Sequence, residues 1–164
     1  MLGTILMIVA VLVLVLVVLG AVWFAGMRTK WRPVIDLQRR VNRRVFNPRQ
    51  MRKAGTPGAY AGIIRHVGRR TGRTYDTPVV PVTTDDGFAI VLVYADRTEW
   101  LRNVLAAGEA TIVVEGATYE VDRPEIVPAD RAGRAWSDDE RKEMRRFGND
   151  TCLRLRTVRR LDDG

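Results

Sequence analysis

The feature that most constrains this chain is a long apolar run near its N-terminus that carries no charged side chain. From Leu2 to Ala25 the sequence is almost wholly Val, Leu, Ile, Ala and Met. A helix of this length reaches about 36 Å and is long enough to cross a hydrocarbon core of about 30 Å. A cleaved signal peptide is the alternative, but it has a basic segment before a shorter apolar run. Because no basic residue precedes Arg28, the sequence predicts a retained transmembrane helix over residues 2–25.

A strongly basic segment, residues 28–53, follows the apolar run. It holds 10 of the 27 Lys and Arg residues and, in Asp36, one of the 19 acidic residues. Short loops rich in Lys and Arg stay on the cytoplasmic side of a membrane, so we expect a single-pass protein of the cell membrane with everything after Arg28 in the cytoplasm. The rest of the chain is close to neutral. The excess charge therefore indicates contact with membrane lipid and not with nucleic acid.

Within the basic segment, apolar residues recur at helical spacing at Val34, Leu37, Val41 and Val45, and arginines occupy the remaining faces. This pattern predicts an amphipathic helix. Two alternatives remain open for its apolar stripe, which either lies on the membrane surface or packs on the globular domain.

The remaining residues, 54–164, are enough for one domain with one core. Their pattern predicts six short strands, over residues 59–67, 77–83, 88–94, 110–115, 118–127 and 152–158, with the second and third joined by an Asp85–Gly87 turn.

One helix is predicted from an Asp96 cap, with Glu99 three residues later, to Gly108. A second helical stretch begins at Pro128 and includes a Ser137 and Glu140 capping box. The last strand alternates apolar and basic residues as an exposed or edge strand does, and the set indicates an α+β domain with a small, partly open β-barrel and helices packed outside.

The residues that most enzymes use for covalent or metal chemistry are scarce. There is one histidine, His66, which lies in an apolar strand and is predicted to be a core or strand-end residue. Cys152 is the one cysteine, so neither an internal disulfide nor a Cys-based metal site can form. The sequence contains no phosphate-binding Walker loop and no His/Glu metal spacing, so no metal is expected. If the protein is an enzyme, an organic cofactor supplies the reactivity.

A basic loop is the most unusual local feature of the domain. Gly68 and Gly72 bracket Arg69, Arg70 and Thr71, and Arg73 follows. Backbone N–H groups, a hydroxyl and three guanidinium groups can meet one anion in such a loop. An exposed basic hairpin tip has the same composition, so both interpretations remain open.

These residues also resemble a known family. The resemblance comprises Asn47-Pro48, the run Gly68-Arg69-Arg70-Thr71-Gly72-Arg73, then Thr77-Pro78-Val79-Val80, a strand ending at Tyr94, and Trp100-Leu101-Arg102-Asn103-Val104 with Ala107-Gly108. Over about residues 46–127 the chain is similar to the deazaflavin (F420)-dependent nitroreductase and quinone reductase family, whose members are split β-barrels related to FMN-binding proteins. It departs from the better-known members in the short, charged segment 95–99, where they carry a His-Pro and a longer loop.

The resemblance implies a cofactor and a set of cofactor-binding residues. The cofactor is coenzyme F420, with FMN less likely. Arg69, Arg70, Thr71 and Arg73 are then expected to bind its phosphate and acidic tail. Thr77, Val79 and Val80 are expected to line the deazaflavin ring, Tyr94 to face the opposite end, and Trp100 and Asn103 to brace the site from the helix. For Trp100 the residue pattern itself favours a plain core aromatic, and no catalytic residue is assigned.

Three functional hypotheses follow. The first is an F420H2-dependent oxidoreductase that transfers hydride to a lipophilic acceptor such as a quinone or a nitro compound, with its catalytic domain in the cytoplasm. The second is a non-catalytic, membrane-anchored module that binds the cofactor or a lipid. The third is an anchored interaction protein that recognises anionic lipid. A homodimer is a further expectation, since small open barrels often complete a core by pairing.

Overall fold

In the computed structural model, which describes residues 1–94 and 97–161 without the side chains of 133–135, a long N-terminal helix leads into a seven-stranded sheet with shorter helices around it. The helices are α1 Leu2–Arg28, α2 Arg32–Val41, α3 Asn47–Gln50, α4 Glu99–Ala107 and α5 Asp138–Arg146. A π-helical turn, Asn42–Phe46, joins α2 to α3, and a 3-10 helix, Ala129–Ala135, precedes α5. The strands are β1 Gly62–Val67, β2 Thr74–Val79, β3 Pro81–Thr83, β4 Gly87–Val91, β5 Glu109–Val114, β6 Ala117–Pro128 and β7 Thr151–Leu161.

The sheet is curled, and its strand order shows why. Neighbouring strands are antiparallel in the order β2-β1-β5-β6-β7-β4-β3. The two edge strands, β2 and β3, stand at opposite ends of this order, yet a single residue, Val80, joins them. One residue cannot span a flat sheet whose neighbouring strands are about 4.8 Å apart. The sheet therefore curves until its edges approach each other, and the predicted α+β class with a partly open barrel is confirmed.

The main hydrophobic core fills the concave side of the curled sheet. Every strand except β3 contributes a buried apolar side chain to it, and α4 adds Leu101 and Val104, which are fully buried. Burying one such side chain stabilises a fold by about 1.5–3 kcal/mol, so the packing of α4 against the concave face contributes substantially to the stability of the half-barrel.

A second core lies on the outer face of the same sheet. Alternate residues of the central strands, including Ala89 and Cys152, point outward there and pack against Trp136 and Met144 at α5. The sheet is thus covered on both faces, by α4 inside and by α5 outside. Burial raises the pKa of the Cys152 thiol to about 11.

The strand prediction was right in position but not in number. The predicted 77–83 strand is two strands, because Pro81 has no N–H for continuous pairing and the chain passes from one edge of the sheet to the other at Val80. The remaining predicted strands are present with shifted ends.

The prediction that the last strand is exposed or at an edge was wrong. β7 lies between β6 and β4. Its apolar residues Cys152, Leu153 and Leu155 are buried, and three of its arginines pair with acidic side chains of neighbouring segments: Arg154 with Asp86, Arg156 with Asp122, and Arg159 with Glu120. The apolar and basic alternation therefore belongs to a central strand with one apolar face and one charge-paired face.

The helix boundaries are partly as predicted. The Ser137 and Glu140 capping box is formed at the start of α5, and Gly108 ends α4 in the left-handed conformation at φ 76°. α4 begins at Glu99 with Thr98 as its N-cap, so it starts later than predicted. The predicted cap, Asp96, lies outside the described residues.

The stripe predicted for the amphipathic helix does not pack on the domain as a unit. Val34 is half-buried and lies against Gly26 of α1, where a Cβ on the glycine would come within 2.6 Å of Val34 Cγ2. Leu37, Val41 and Val45 remain exposed. The residue of α2 that is buried is Ile35, which was not part of the predicted stripe.

Candidate cofactor site

The basic loop is a tight turn between β1 and β2 that is closed by its own backbone. Gly68 N donates to Arg73 O (2.8 Å), and the N–H groups of Thr71 and Gly72 donate to Gly68 O (3.1 and 2.8 Å). Gly72 has φ 65°, a left-handed conformation that favours glycine. A Cβ on Gly68 would come within 2.6 Å of Thr71 Oγ1. Both glycines are therefore required by the turn itself.

One side chain of α4, Asn103, holds this loop in place. Asn103 Oδ1 accepts from Arg69 N (3.2 Å) and from Arg69 Nη1 (2.9 Å). The same guanidinium donates to Glu99 Oε2 at 2.8 Å and holds the pKa of that carboxyl below its usual range. The Arg69 guanidinium is thus committed to joining the loop to α4.

The orientation of Asn103 also fixes the state of the one histidine. Since Oδ1 faces Arg69, Nδ2 faces His66 and donates to His66 Nδ1 at 3.3 Å. The ring proton is then on Nε2, which is 3.2 Å from Thr77 Oγ1. Burial lowers the pKa of His66. His66 is a buried, neutral residue that supports the loop through Asn103. Its buried position agrees with the predicted core or strand-end histidine.

Two arginines of the loop remain available for an anionic ligand. Arg70 and Arg73 are exposed, and neither guanidinium group makes a hydrogen bond or an ion pair with a residue that the structure describes. By contrast, the N–H groups of Arg69, Thr71, Gly72 and Arg73 already have acceptors within the protein. The loop therefore offers guanidinium groups to an anion. The sequence-based expectation that its backbone N–H groups also bind the anion is not supported, because most of them are already hydrogen-bonded within the protein.

The three residues expected beside the ring lie on or after the edge strand β2. Thr77 is half-buried against His66, and Val80 is exposed. Val79 points into the main core, so its side chain is not available to a ligand. Within the described residues β2 pairs with β1 alone, so its other edge offers backbone N–H and C=O groups for a planar ligand.

Trp100 and Tyr94 are placed differently from the loop residues. Trp100 is partly buried against the main core, which agrees with the plain core interpretation. Tyr94 follows β4 and its hydroxyl accepts from Asn42 Nδ2 of the π-helical turn. Burial raises the pKa of Tyr94. Tyr94 thus lies against the basic helical segment.

An open, polar cleft of about 450 Å³ lies between α2 and the start of α4. It is lined by Arg32, Asp36, Arg39, Arg97, Glu99 and Arg102. Glu99 belongs both to this cleft and to the ion pair with Arg69, so the cleft continues from the basic loop. Thr98 Oγ1, at the N-cap between them, is buried without a hydrogen-bond partner among the described residues. This cleft was not predicted from the sequence, because Glu99 was interpreted as a capping residue and the arginines of α2 as facing either lipid or solvent.

The described residues suit a cofactor that is an anion at one end and a flat ring at the other. Arg70 and Arg73 carry unpaired positive charge, the cleft adds further guanidinium groups, and the open edge of β2 provides a planar hydrogen-bonding surface. A curled antiparallel sheet with such an edge defines an α+β half-barrel protein, and the exposed arginines make this region its candidate site for an anionic ligand.

The chain belongs to the F420H(2)-dependent quinone reductase family, whose sequence profile matches residues 31–150. Reduced F420 gives the family its name, and F420 is the cofactor predicted from the sequence, so that prediction is confirmed. The family is named for the reduction of quinones by reduced F420.

Solved structures with a similar course of the chain have low sequence identity. A protein of unknown function from Agrobacterium tumefaciens is 15% identical, with a TM-score of 0.48 over 62% of this chain and 50% of its own. The chain therefore spans about half the length of that protein. An F420 reductase is 13% identical, with a TM-score of 0.44 over 66% of this chain and 93% of its own. Among curated proteins, no sequence matches the chain.

Proposed function

We propose that the protein is a membrane-anchored oxidoreductase that uses reduced F420 to reduce a lipophilic acceptor, with a quinone as the first choice and a nitro compound as the second. The observation that carries the proposal is the family match over residues 31–150, which contains the basic loop, β2 and α4 in one continuous stretch. Bound reduced F420 supplies the hydride.

The chain's own residues would bind the cofactor and orient it for hydride transfer. Arg70 and Arg73 hold the anionic part of the cofactor, and Asn103 and His66 keep their loop in one conformation. The free edge of β2 near Thr77 and Val80 would take the flat ring of the cofactor. Tyr94 borders the acceptor side, where its buried hydroxyl is neutral at physiological pH. Positioning and exclusion of water are the main contributions of such a site.

A binding experiment tests the cofactor assignment. Full-length protein in detergent micelles is titrated with F420, followed by F420 fluorescence, with FMN as competitor. The double variant Arg70→Gln/Arg73→Gln is expected to weaken F420 binding at least tenfold, since each charge-assisted contact contributes about 1.5–3 kcal/mol. The control Arg49→Gln/Arg52→Gln removes the same charge from exposed positions outside the site. A change within twofold in the loop variant, or equal losses in both variants, contradicts the assignment.

Turnover separates a reductase from a cofactor carrier. Oxidation of reduced F420 is measured with a soluble quinone analogue and with a nitroaromatic compound. We expect multiple turnovers with the quinone and a dependence of the rate on protein concentration. Tight binding without turnover would favour the non-catalytic module.

We also propose that α1 is retained as a single-pass anchor with the domain in the cytoplasm. Among the described residues it is the one helix long and apolar enough to cross a membrane, and its most apolar stretch is unburied. Its C-terminal end is joined to the domain: Arg28 Nη1 donates to the carbonyls of Arg145 and Arg146, and Phe24 contacts the ring of Phe147 at 5.5 Å. Cleavage after the apolar run would remove part of this contact.

The intact mass of the purified membrane-fraction protein checks retention. A mass close to 18.5 kDa is expected for the whole chain. A mature protein that begins at or after residue 26 would show that the helix is a signal sequence.

A further inference from the structure

The helical segment from Arg32 to Gln50 has an apolar surface on the side away from the domain. Leu37, Val41, Val45 and Phe46 are 59%, 36%, 39% and 48% exposed. We call these four residues the outer face. The contacts of the segment with the rest of the protein come from other residues: Ile35 is buried, Gln38 Oε1 accepts from Trp23 Nε1, and Asn42 donates to Tyr94.

The position of the outer face is fixed relative to α1. Three residues separate the end of α1 at Arg28 from the start of α2 at Arg32. Within this connection, Lys30 Nζ donates to Val93 O (3.1 Å), Phe147 O (3.2 Å) and Asn149 Oδ1 (2.5 Å). The apolar helix is therefore a rigid continuation of the domain and not a flexible tether. Anchoring of α1 in a bilayer brings the segment to the membrane surface.

The charges beside the outer face match an anionic surface. Arg40, Arg43 and Arg44 are exposed, and none of them forms an ion pair with a described residue. The one acidic residue in the segment, Asp36, is already paired with Arg39 at 3.4 Å. Each basic side chain near an anionic leaflet contributes about 1 kcal/mol of attraction.

We propose that the outer face lies in the headgroup region of an anionic lipid leaflet, with α1 crossing the bilayer beside it. An interfacial helix of this kind buries its apolar side chains at the boundary of the acyl chains and keeps its arginines among the phosphates. The continuity with α1 and the local charge select lipid over a protein partner as the occupant of this surface.

The other side of the same segment borders the cofactor site. Arg32, Asp36 and Arg39 line the cleft that continues to the basic loop, and Asn42 contacts Tyr94. A helix with its side chains is about 10 Å across, so the cleft lies within about one helix diameter of the lipid. This step rests on the proposed function: a lipophilic acceptor then enters the site from the membrane side.

A depth measurement tests the lipid contact, because flotation would report α1 alone. Leu37→Cys and Val45→Cys are labelled with an environment-sensitive dye in the full-length protein, and the buried Cys152 stays unlabelled. The matched control is Val158→Cys on β7, which is 54% exposed. In vesicles that contain phosphatidylglycerol and a lipid-attached nitroxide, quenching at both α2 positions is expected to be at least threefold stronger than at position 158.

Equal quenching at the α2 and control positions would overturn the proposal. Blue-shifted emission at position 37 without lipid quenching would also overturn it, since a protein, including a second copy of this chain, would then cover the outer face. A second arm compares phosphatidylglycerol vesicles with purely zwitterionic ones. The triple variant Arg40→Gln/Arg43→Gln/Arg44→Gln is expected to lose the extra quenching that anionic lipid produces, and unchanged quenching would contradict the role of charge.

F420 titration of the same labelled proteins separates this proposal from the proposed function. Retained F420 affinity with no lipid quenching rejects the membrane contact alone. Strong lipid quenching without F420 binding supports the membrane contact and rejects the cofactor function.

Discussion

Asn103 connects residues that are far apart in the sequence. Its amide accepts two hydrogen bonds from Arg69 and donates one to His66. An amide is suited to this position because it presents an acceptor to a cation and a donor to a neutral imidazole. The positive loop is thereby coupled to the protonation state of His66.

Acidification is expected to destabilise the protein through His66. Its pKa in the folded state is lowered from 6.5 by burial, so the unfolded chain binds more protons as the pH falls. The free energy of unfolding is therefore highest above pH 6.5, the pKa of the unfolded state. It decreases as the pH falls towards the lower pKa of the folded state, by at most about 1.4 kcal/mol per pH unit. Because His66 is the one histidine of the sequence, His66→Gln should flatten the free energy of unfolding between pH 7 and 5.5. Denaturant unfolding in micelles, followed by tryptophan fluorescence, measures the free energy of unfolding at each pH.

Asn103→Asp is the complementary variant. A carboxylate still accepts from Arg69, but its second oxygen faces the lone pair of His66 Nδ1, which favours the protonated ring. The pKa of His66, measured by its NMR titration, should rise above 6.5. An unchanged value would mean that Asn103 does not set the tautomer.

The residues of the basic loop were predictable from the sequence, but the different roles of its arginines were not. The Gly68–Gly72 spacing predicted a tight basic turn, and the turn is present. The sequence did not show that Arg69 would be bound internally while Arg70 and Arg73 stay exposed. The partners of Arg69 lie 30 and 34 residues away on α4, and no local pattern encodes which loop arginine a distant helix contacts.

At the scale of elements, β7 shows the limits of local pattern most clearly. The alternation of apolar and basic residues is shared by an exposed edge strand and by a central strand whose arginines are paired. The acidic partners Asp86, Glu120 and Asp122 lie 34 to 68 residues from the arginines that bind them. Strand positions were therefore predictable from the sequence, whereas strand order was not.

The contact between β4 and β7 predicts one strongly destabilising substitution. A Cβ on Gly87 would lie 2.1 Å from Leu155 O and 2.8 Å from Thr157 N. Because both are backbone atoms of a central strand, they cannot move aside, and Gly87→Ala should lower the free energy of unfolding by about 1–3 kcal/mol. Gly20→Ala, whose Cβ meets nothing within 4 Å, is the control in the same unfolding assay. Equal stability of the two variants would contradict the described register.

At the scale of the whole molecule, the apolar helix and the domain form one unit through Lys30. Burial lowers the pKa of this ammonium group, but its three oxygen acceptors retain it in place. Both the helix and the basic segment were predicted from the sequence. Their hydrogen bonds to the end of α5 and the loop after it, made by Arg28 and Lys30, were not.

Lys30→Met should loosen this junction. Methionine has a similar length but leaves the oxygens of Val93, Phe147 and Asn149 without their donor, at a cost of about 1–3 kcal/mol. Proteinase K digestion in micelles is expected to cut between α1 and α2 faster than in the wild type. Lys53→Met, at an exposed position, should leave the rate unchanged, and equal rates in the two variants would argue against a rigid junction.

The central position of β7 has a consequence for how the protein is made. The strands that precede it form two separate groups, β2-β1-β5-β6 and β4-β3, which have no shared edge until β7 joins them. During synthesis the apolar helix leaves the ribosome before the domain, and β7 leaves it after the other six strands. Until β7 is made, the domain is therefore expected to consist of two incomplete sheets, and a chain that stops before Thr151 would remain divided and exposed to proteases.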